Sequence, residues 1–310
     1  MTESQRGRAW RPNVPGTLPI VRNLAALRER LRRVRTPDAP AGARRRLRLV
    51  LSGAAVAAVL IAVSLLVLDP HSVGWAQDLS RPVRQVLAWV TRFGKSDWLL
   101  IPSGVLCVAL LLADWRRTGR RTAAAWVEVG ELAGFFFFSV ALAGITTNLV
   151  KWSVGRSRPV LFDSDGVLTL SPLSFDYAHV SFPSGHATTV AAATVAVALI
   201  FRGRWVVLGA VGACAAVIAL SRVGVRAHFP SDVVAGLFVG SAFTFLYAHA
   251  LGRHGVGFQV QADGRLMPKT VAIRRMLRGG GFGGMVAGLA PAWFGGRSAE
   301  RRDAAPVEKP

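Results

Sequence analysis

Residues 49–68 read LVLSGAAVAAVLIAVSLLVL, an apolar run of 20 residues without a charged side chain. About 20 apolar residues in a helix are needed to cross the hydrocarbon core of a bilayer. Five further apolar runs follow, at Trp98–Ala113, Leu132–Val150, Ala187–Phe201, Trp205–Leu220 and Val233–Leu251. The sequence therefore predicts an all-α, polytopic membrane protein with six transmembrane helices in residues 49–251. The fifth run is rich in glycine and alanine, which favour close helix packing, so we expect it to be central.

The chain is strongly basic, with 38 Lys and Arg against 17 Asp and Glu in 310 residues, a formal charge of +21. A disordered basic chain would not be 52% hydrophobic and only 18% charged. Thirteen basic residues lie in residues 1–48 and ten follow Leu251. The positive-inside rule therefore predicts that both termini are cytoplasmic, in agreement with an even number of crossings. No nucleic-acid-binding motif accompanies the charge, so we predict no nucleic-acid partner.

Two segments lie outside the predicted membrane domain, residues 1–48 and residues 252–310. Within the first, Val21–Arg35 has leucines at helical spacing among six arginines, which predicts a basic amphipathic helix. Such a helix binds anionic lipids of the inner leaflet, or else it is solvated or packed on a protein partner, and the sequence leaves both alternatives open. The glycine-rich segment 252–310 predicts a flexible cytoplasmic tail. The sequence makes no prediction of the oligomeric state.

Three short polar segments lie at the outer ends of the predicted crossings. The first follows the third crossing, the second precedes the fourth, and the third follows the fifth. In order, they are Lys151-x6-Arg158-Pro159, Pro183-Ser184-Gly185-His186 and Ser221-Arg222-x5-His228-x3-Asp232. The predicted topology places all three at the same membrane depth, so we expect them to form one site.

The residue types in these segments suit a bound phosphate. Lys151, Arg158 and Arg222 are three cations that would be unfavourable together without an anion, and arginine binds phosphate through two parallel hydrogen bonds. Ser184 and Gly185 come directly before a helix start, where a hydroxyl and free backbone N–H groups bind anions. The sequence therefore predicts that these five residues hold a phosphate group.

The two histidines and the aspartate predict phosphoryl transfer. Asp232 lies four residues after His228 and can fix the tautomer of that imidazole, which leaves its other nitrogen free to attack phosphorus. His186 can protonate the leaving oxygen and then activate water. We predict no metal ion or other cofactor, because no carboxylate cluster suited to Mg²⁺ or Zn²⁺ accompanies these segments.

The three segments together resemble the signature of the type 2 phosphatidic acid phosphatase (PAP2) superfamily. Eleven fixed positions match in order, and the resemblance covers roughly residues 95–251. It implies a PAP2-like helical bundle with His228 as nucleophile, Asp232 as its support and His186 as acid and base. It places Lys151, Arg158, Ser184, Gly185 and Arg222 at the phosphate-binding positions. The superfamily also contains soluble vanadium haloperoxidases, but the predicted crossings favour the membrane lipid phosphatases.

The resemblance implies a hydrolase of lipid phosphates or diphosphates, and the predicted topology places its site at the periplasmic or outer face of the cell's inner membrane. Undecaprenyl diphosphate fits such a site, and phosphatidic acid, phosphatidylglycerol phosphate and the glucosamine 1-phosphate of lipid A are alternative substrates. Two other functions are alternatives: a transporter or channel for phosphate-containing anions that uses the same cations, and a catalytically silent lipid-binding protein. Complete motifs with both histidines favour the enzyme.

Several polar residues outside the eleven positions are interpreted as structural. We expect Arg156 and Arg226 to be interfacial anchors or contacts to lipid headgroups. The aspartates of the outer loop, residues 160–182, are expected to be solvated. The histidines outside the motifs receive no role. The aspartates are Asp163, Asp165 and Asp176, and the histidines are His71, His179, His249 and His254.

Overall fold

The computed structural model describes residues 18–33 and 40–294, and they are mainly helical. The α-helices are α1 (Pro19–Arg33), α2 (Pro40–Val63), α3 (Asp69–Asp78), α4 (Arg81–Val90), α5 (Asp97–Leu112), α6 (Arg120–Val154), α7 (Phe162–Asp165), α8 (Gly185–Ile200), α9 (Trp205–Gly224), α10 (Pro230–Arg253), α11 (Val271–Ala287) and α12 (Ala290–Phe294). A π-helical segment, Ser64–Leu68, joins α2 to α3. Short 3-10 helices are Thr91–Gly94, Trp115–Arg117, Pro159–Leu161 and Tyr177–His179, and two strands are β1 (Phe258–Val260) and β2 (Leu266–Pro268).

Among the described residues, five helical stretches are long and apolar enough to cross a membrane. They are Gly42–Asp78, Arg81–Leu112, Arg120–Val154, Trp205–Gly224 and Pro230–Arg253. The predicted fourth crossing corresponds to α8, which has 16 residues and is about 24 Å long at 1.5 Å per residue. The prediction of a multi-pass, mostly helical membrane protein is confirmed. The sixth crossing and the orientation of the termini stay predictions.

The helix α8 is largely buried, and its contact with α10 is close. A Cβ on Gly236 would lie 2.4 Å from the Ser184 carbonyl oxygen, and one on Gly240 would lie 2.3 Å from that of Thr188. Only glycine at these two positions lets the helix backbones approach this closely. The expectation that the fifth run is the central one is wrong. Much of α9 is exposed, and a Cβ added at its Gly209 or Gly212 would meet no atom within 4 Å.

The described residues divide into two compact units, and the larger contains residues 40–107 and 130–269. It contains an antiparallel hairpin in which β1 pairs with β2, with Gln259 opposite Met267. Phe258 of β1 is fully buried against Phe135 of α6, with ring centroids 4.7 Å apart. The Gly257 amide donates to Glu131 Oε2 at 2.8 Å. The segment after Leu251, which the sequence predicts to be flexible, thus contains regular structure.

Of the described residues, the smaller unit contains 18–33, 108–129 and 270–294. In it, Arg22 of α1 is buried and forms an ion pair with Asp114, Nη2 to Oδ1, at 2.7 Å. Glu128 Oε2 accepts hydrogen bonds from the Ala272 and Ile273 amides at 2.9 and 3.0 Å, which satisfies the N-terminus of α11. Residues 34–35 of the predicted amphipathic helix lie outside the described residues, and its binding to anionic lipids stays a prediction.

Candidate active site

The first polar segment begins in the last turn of α6, at Lys151, and turns at Gly155. The Gly155 amide donates to the Lys151 carbonyl at 2.9 Å, and its φ of +63° is one that glycine adopts without strain. A Cβ there would lie 1.7 Å from the Ser171 carbonyl oxygen. Gly155 therefore ends the helix and turns the chain back, and the side chains of Arg156 and Arg158 are both buried.

Two of the predicted phosphate-binding cations are held in place by the loop that follows. Lys151 Nζ donates to the Val180 carbonyl at 3.0 Å. Arg158 Nε donates to the Tyr177 carbonyl at 2.8 Å, and its guanidinium carbon lies 3.7 Å from the centroid of the Tyr177 ring. Burial lowers the pKa of Arg158 from its ordinary value, but an arginine in a protein still keeps its charge at neutral pH.

The second segment forms the start of α8. Ser184 is the residue before the first turn, and its amide donates to the Asp232 carbonyl at 2.9 Å, which ties α8 to α10. Its hydroxyl makes no capping bond. A Cβ on Gly185 would lie 3.7 Å from Lys151 Cε, so the glycine and the lysine are neighbours. The first N–H groups of α8, which have no acceptor within the helix, therefore lie beside a cation.

The third segment contains the end of α9 and the start of α10. Arg222 Nη1 donates to Thr91 Oγ1 at 2.5 Å, and the amides of Ala227 and His228 donate to the Arg222 carbonyl at 3.1 and 3.2 Å. Pro230 occupies the first turn of α10, where its missing N–H is of no consequence. This turn places Asp232 one helical turn after His228 and buries both side chains.

His228 and Asp232 form the close pair that their spacing predicts. His228 Nδ1 lies 3.6 Å from Asp232 Oδ2, and the Ser181 hydroxyl lies beside both groups, donating to Asp232 Oδ2 at 2.6 Å and 3.4 Å from His228 Nδ1. Burial lowers the pKa of His228 to about 3, although the Asp232 carboxylate acts in the opposite direction. His228 is therefore neutral at physiological pH, with the Nε2 side of the ring turned away from the aspartate.

The structure brings all eight predicted site residues into one region. His186 follows Ser184, whose amide is bonded to the Asp232 carbonyl, and Gly185, whose Cβ position lies 3.7 Å from Lys151 Cε. Two of the predicted phosphate-binding side chains have a buried polar atom without a hydrogen-bond partner in the described residues, Ser184 Oγ and Arg222 Nε. Buried donors without a partner are unfavourable, so both atoms are suited to a bound oxyanion. The arrangement can hold one phosphate group beside a neutral imidazole.

One interpretation from the sequence is wrong. Arg156 is not an anchor at the membrane interface, because it is 2% exposed and forms ion pairs with Asp69 and Asp232. Asp165 is likewise more than a solvated loop residue. Its Oδ2 accepts from the Ser157 hydroxyl at 2.6 Å, and this hydrogen bond is the main cause of its lowered pKa.

Four residues that contact the site are missed by motif analysis, namely Asp69, Thr91, Gly94 and Ser181. Only Asp69 gives a signal in the sequence. It is a carboxylate at the end of an apolar run, where a charged group needs a partner. Thr91, Gly94 and Ser181 belong to segments whose contacts depend on the tertiary fold.

The described residues also bear on metal binding. Within residues 18–33 and 40–294, no group of three or more His, Cys, Asp or Glu side chains is arranged to hold a metal ion. The prediction that the reaction needs no metal stays a prediction.

Comparison with known proteins identifies the class. Residues 132–255 match the family model of the PAP2 superfamily. A lipid A 1-phosphatase from Rhizobium johnstonii is 38% identical over 198 residues, which are 63% of this chain and 79% of that protein. An undecaprenyl-diphosphatase from Sulfolobus acidocaldarius is 35% identical over 162 residues, 52% of this chain and 67% of that protein.

A solved structure is also similar, that of a transmembrane PAP2-type phosphatidylglycerolphosphate phosphatase from Bacillus subtilis. It has a TM-score of 0.46 and 19% identity, and the match covers 64% of this chain and 93% of that chain. The relative from Rhizobium, with its high identity and coverage, shows the family. The chain belongs to the PAP2 superfamily. It is a multi-pass membrane phosphatase of the lipid phosphatase branch, which favours the enzyme over the transporter and the silent binding protein.

Proposed function

We propose that this chain hydrolyses a lipid phosphate at the outer leaflet, without a metal ion, through a phosphohistidine on His228. The observation that carries the proposal is the neutral, buried His228 paired with Asp232 beside two unpartnered polar atoms, Ser184 Oγ and Arg222 Nε. The substrate's apolar tail stays in the bilayer while its phosphate enters the site.

In the first step, Lys151, Arg158 and Arg222 bind the phosphate oxygens and stabilise the charge that concentrates there in the transition state. The Nε2 lone pair of His228 attacks phosphorus. The nitrogen–phosphorus bond forms as the bond from phosphorus to the lipid oxygen breaks. Without substrate, His186 is neutral in this buried, cationic site, and the charge of the bound phosphate favours its protonated form. His186 then gives its proton to that oxygen, and Asp232 stabilises the positive charge that develops on the His228 ring.

In the second step, the now neutral His186 takes a proton from a water molecule. The water oxygen attacks the phosphohistidine, the nitrogen–phosphorus bond breaks, and inorganic phosphate leaves. His228 returns to its neutral form and His186 is again protonated, so the two steps consume one water molecule for each phosphate released.

The relatives suggest two substrates to test first. The 1-phosphate of lipid A is the first choice, because the relative named for it is 38% identical and 79% of its length is covered. Undecaprenyl diphosphate is the second, because a relative named for its hydrolysis is 35% identical over a shorter region. The two reactions differ in the bond broken, a sugar phosphate ester in the first and a phosphoanhydride in the second.

Phosphate release by the full chain in detergent tests the proposal. Lipid A, undecaprenyl diphosphate and phosphatidic acid are compared with and without EDTA, and vanadate is added as an analogue of phosphate. We expect release from at least one lipid, unchanged by EDTA and inhibited by vanadate. His228→Ala should abolish turnover, whereas His254→Ala, a histidine at the far end of α10, should leave it intact. Full turnover by His228→Ala, or loss of activity with EDTA, would contradict the mechanism.

A further inference from the structure

Arg156 lies between two buried carboxylates that come from distant parts of the chain. Its Nη1 is 2.6 Å from Asp232 Oδ1 and its Nη2 is 2.8 Å from Asp69 Oδ2. The arginine side chain is 3% exposed and both aspartates are fully buried. The guanidinium therefore links the first long helical stretch of the chain to the first turn of α10.

Every N–H group of this guanidinium is used within the protein. Nε and Nη2 donate to the Val167 carbonyl at 3.0 and 2.9 Å, and Nη1 donates to Ser231 Oγ at 2.7 Å in addition to Asp232. The fifth N–H reaches Asp69. An arginine has five such donors, so this one has none left for a phosphate oxygen. In this respect Arg156 differs from Arg222, whose Nε is buried without a partner.

Asp69 holds the same turn of α10 from the other side. Its Oδ1 accepts from the Ser231 amide at 3.0 Å, and its Oδ2 accepts from the Ser231 hydroxyl. A carboxylate at a helix N-terminus is favourable because the free N–H groups and the helix dipole are positive there. Asp69 therefore fixes both Arg156 and the helical turn that carries Asp232.

The two carboxylate oxygens of Asp232 have different partners. Oδ1 accepts from Arg156, whereas Oδ2 faces Ser181, the Phe229 amide and the His228 ring. The Phe229 ring packs against the Arg156 guanidinium, with the centroid 4.4 Å away. A rotation of the carboxylate would break the Arg156 contact, so the arginine fixes the orientation of the carboxylate plane against the His228 ring.

We propose that Arg156, oriented by Asp69, is a positioning residue that fixes the Asp232 carboxylate against His228. The inference rests on the proposed function, because the position of Asp232 matters only if His228 is the nucleophile. Without the arginine, two carboxylates share one buried region with no cation between them, which is unfavourable and displaces them. Substrate binding is unaffected in this proposal, because Arg156 offers no donor to the phosphate.

The variants are chosen to separate positioning from folding. Arg156→Gln removes the cation, and Arg156→Lys keeps the charge but cannot bridge two carboxylates. Asp69→Asn keeps the shape and the acceptor oxygen that faces the Ser231 amide. Arg204→Gln, an exposed arginine at the opposite end of α9, is the matched control. Losing one partner of a buried charge pair predicts a fall in kcat of about 100-fold for Arg156→Gln. We expect about 10-fold for Asp69→Asn and an intermediate loss for Arg156→Lys.

The readouts are kcat, KM, the number and affinity of vanadate-binding sites, and the rate of phosphohistidine formation from substrate labelled in its phosphate. We expect kcat and the labelling rate to fall together, with KM, vanadate affinity and the number of sites near wild type. An equal labelling rate in wild type and Arg156→Gln would overturn the inference alone. The inference would also be overturned if all three variants lost vanadate-binding sites in proportion to their loss of activity, because the loss would then be one of folded protein. A rise in KM with kcat unchanged would overturn it too, because the change would then be one of substrate binding. A wild-type chain that forms no phosphohistidine would overturn the proposed function and this inference with it.

Discussion

Gly94 lies against His186 so closely that a Cβ on the glycine would be 2.6 Å from His186 Cδ2. The same atom would be 2.8 Å from Ile218 Cγ2 of α9. Gly94 belongs to the segment before α5, far in sequence from the three motifs, yet its lack of a side chain leaves the space that the imidazole occupies. The position of the predicted acid and base therefore depends on a residue outside the PAP2 signature.

Substituting Gly94 tests this contact. Gly94→Ala should lower kcat by about 10-fold or more, because the added methyl group displaces the His186 ring, and overpacking should cost about 1–3 kcal/mol of stability. Steady-state kinetics and thermal unfolding in detergent measure the two effects. Gly119→Ala is the control, since nothing lies within 4 Å of a Cβ there. Wild-type kcat in Gly94→Ala would show that His186 tolerates displacement.

The hydrogen bond between Arg222 and Thr91 gives a second prediction. Thr91→Val keeps the shape of the side chain but removes the oxygen that accepts from Arg222 Nη1 at 2.5 Å. Hydrogen bonds to charged groups contribute about 1.5–3 kcal/mol, so kcat/KM should fall about 10- to 100-fold and vanadate should bind more weakly. Thr146→Val, which removes a hydroxyl bonded only to its own helix, is the matched variant. Equal kinetics of the two variants would mean that Thr91 does not orient Arg222.

The burial of His228 predicts how stability depends on pH. Folded His228 stays neutral down to a pKa of about 3, whereas a histidine in the unfolded chain takes up a proton near pH 6.5. Between these values the unfolded state binds more protons, so this residue makes the protein less stable as the pH falls below about 6.5. Above that pH it contributes no pH dependence. Thermal unfolding between pH 4 and 8 should show a shallower acid slope for His228→Asn than for wild type, and identical slopes would contradict the prediction.

Cysteine labelling tests the predicted topology. In a background without Cys107 and Cys214, Ser174→Cys should react with an impermeant reagent in intact cells, and Gly119→Cys should react only after permeabilisation. The reason is the excess of arginine in the segments predicted to be cytoplasmic. The reverse pattern would place the site on the inner face and would contradict an outer-leaflet substrate.

The sequence alone predicts the parts of the fold and site that depend on local pattern. Apolar runs predict the long helices, and the spacing of Pro230 and Asp232 predicts a helix start that brings the carboxylate back to His228. Motif order predicts that the first and second segments meet, and the structure places Gly185 beside Lys151. Each of these inferences needs only helix geometry and the cost of placing charge in lipid.

The rest depends on contacts between distant segments. Arg156 looks like an interfacial cation because one sequence does not show that Asp69 lies beside it. Glycine and alanine in α9 predict close packing, but the close contact is made by Gly236 and Gly240 of α10, since helix packing depends on which face meets a neighbour. The hairpin of β1 and β2 is missed because each strand has only three residues.

The residues that position the proposed catalytic side chains include several outside residues 132–255, the region that matches the superfamily model. A fragment of residues 132–255 would contain all eleven signature positions but would lack Asp69, Thr91 and Gly94. In such a fragment, Arg156 would keep only the Asp232 carboxylate as an ion-pair partner and Arg222 would lose the Thr91 hydroxyl. The space beside His186 that Gly94 borders would be open. We therefore expect a catalytically competent piece of this chain to begin before residue 69, so that a complete signature in a shortened relative is not by itself a sign of activity.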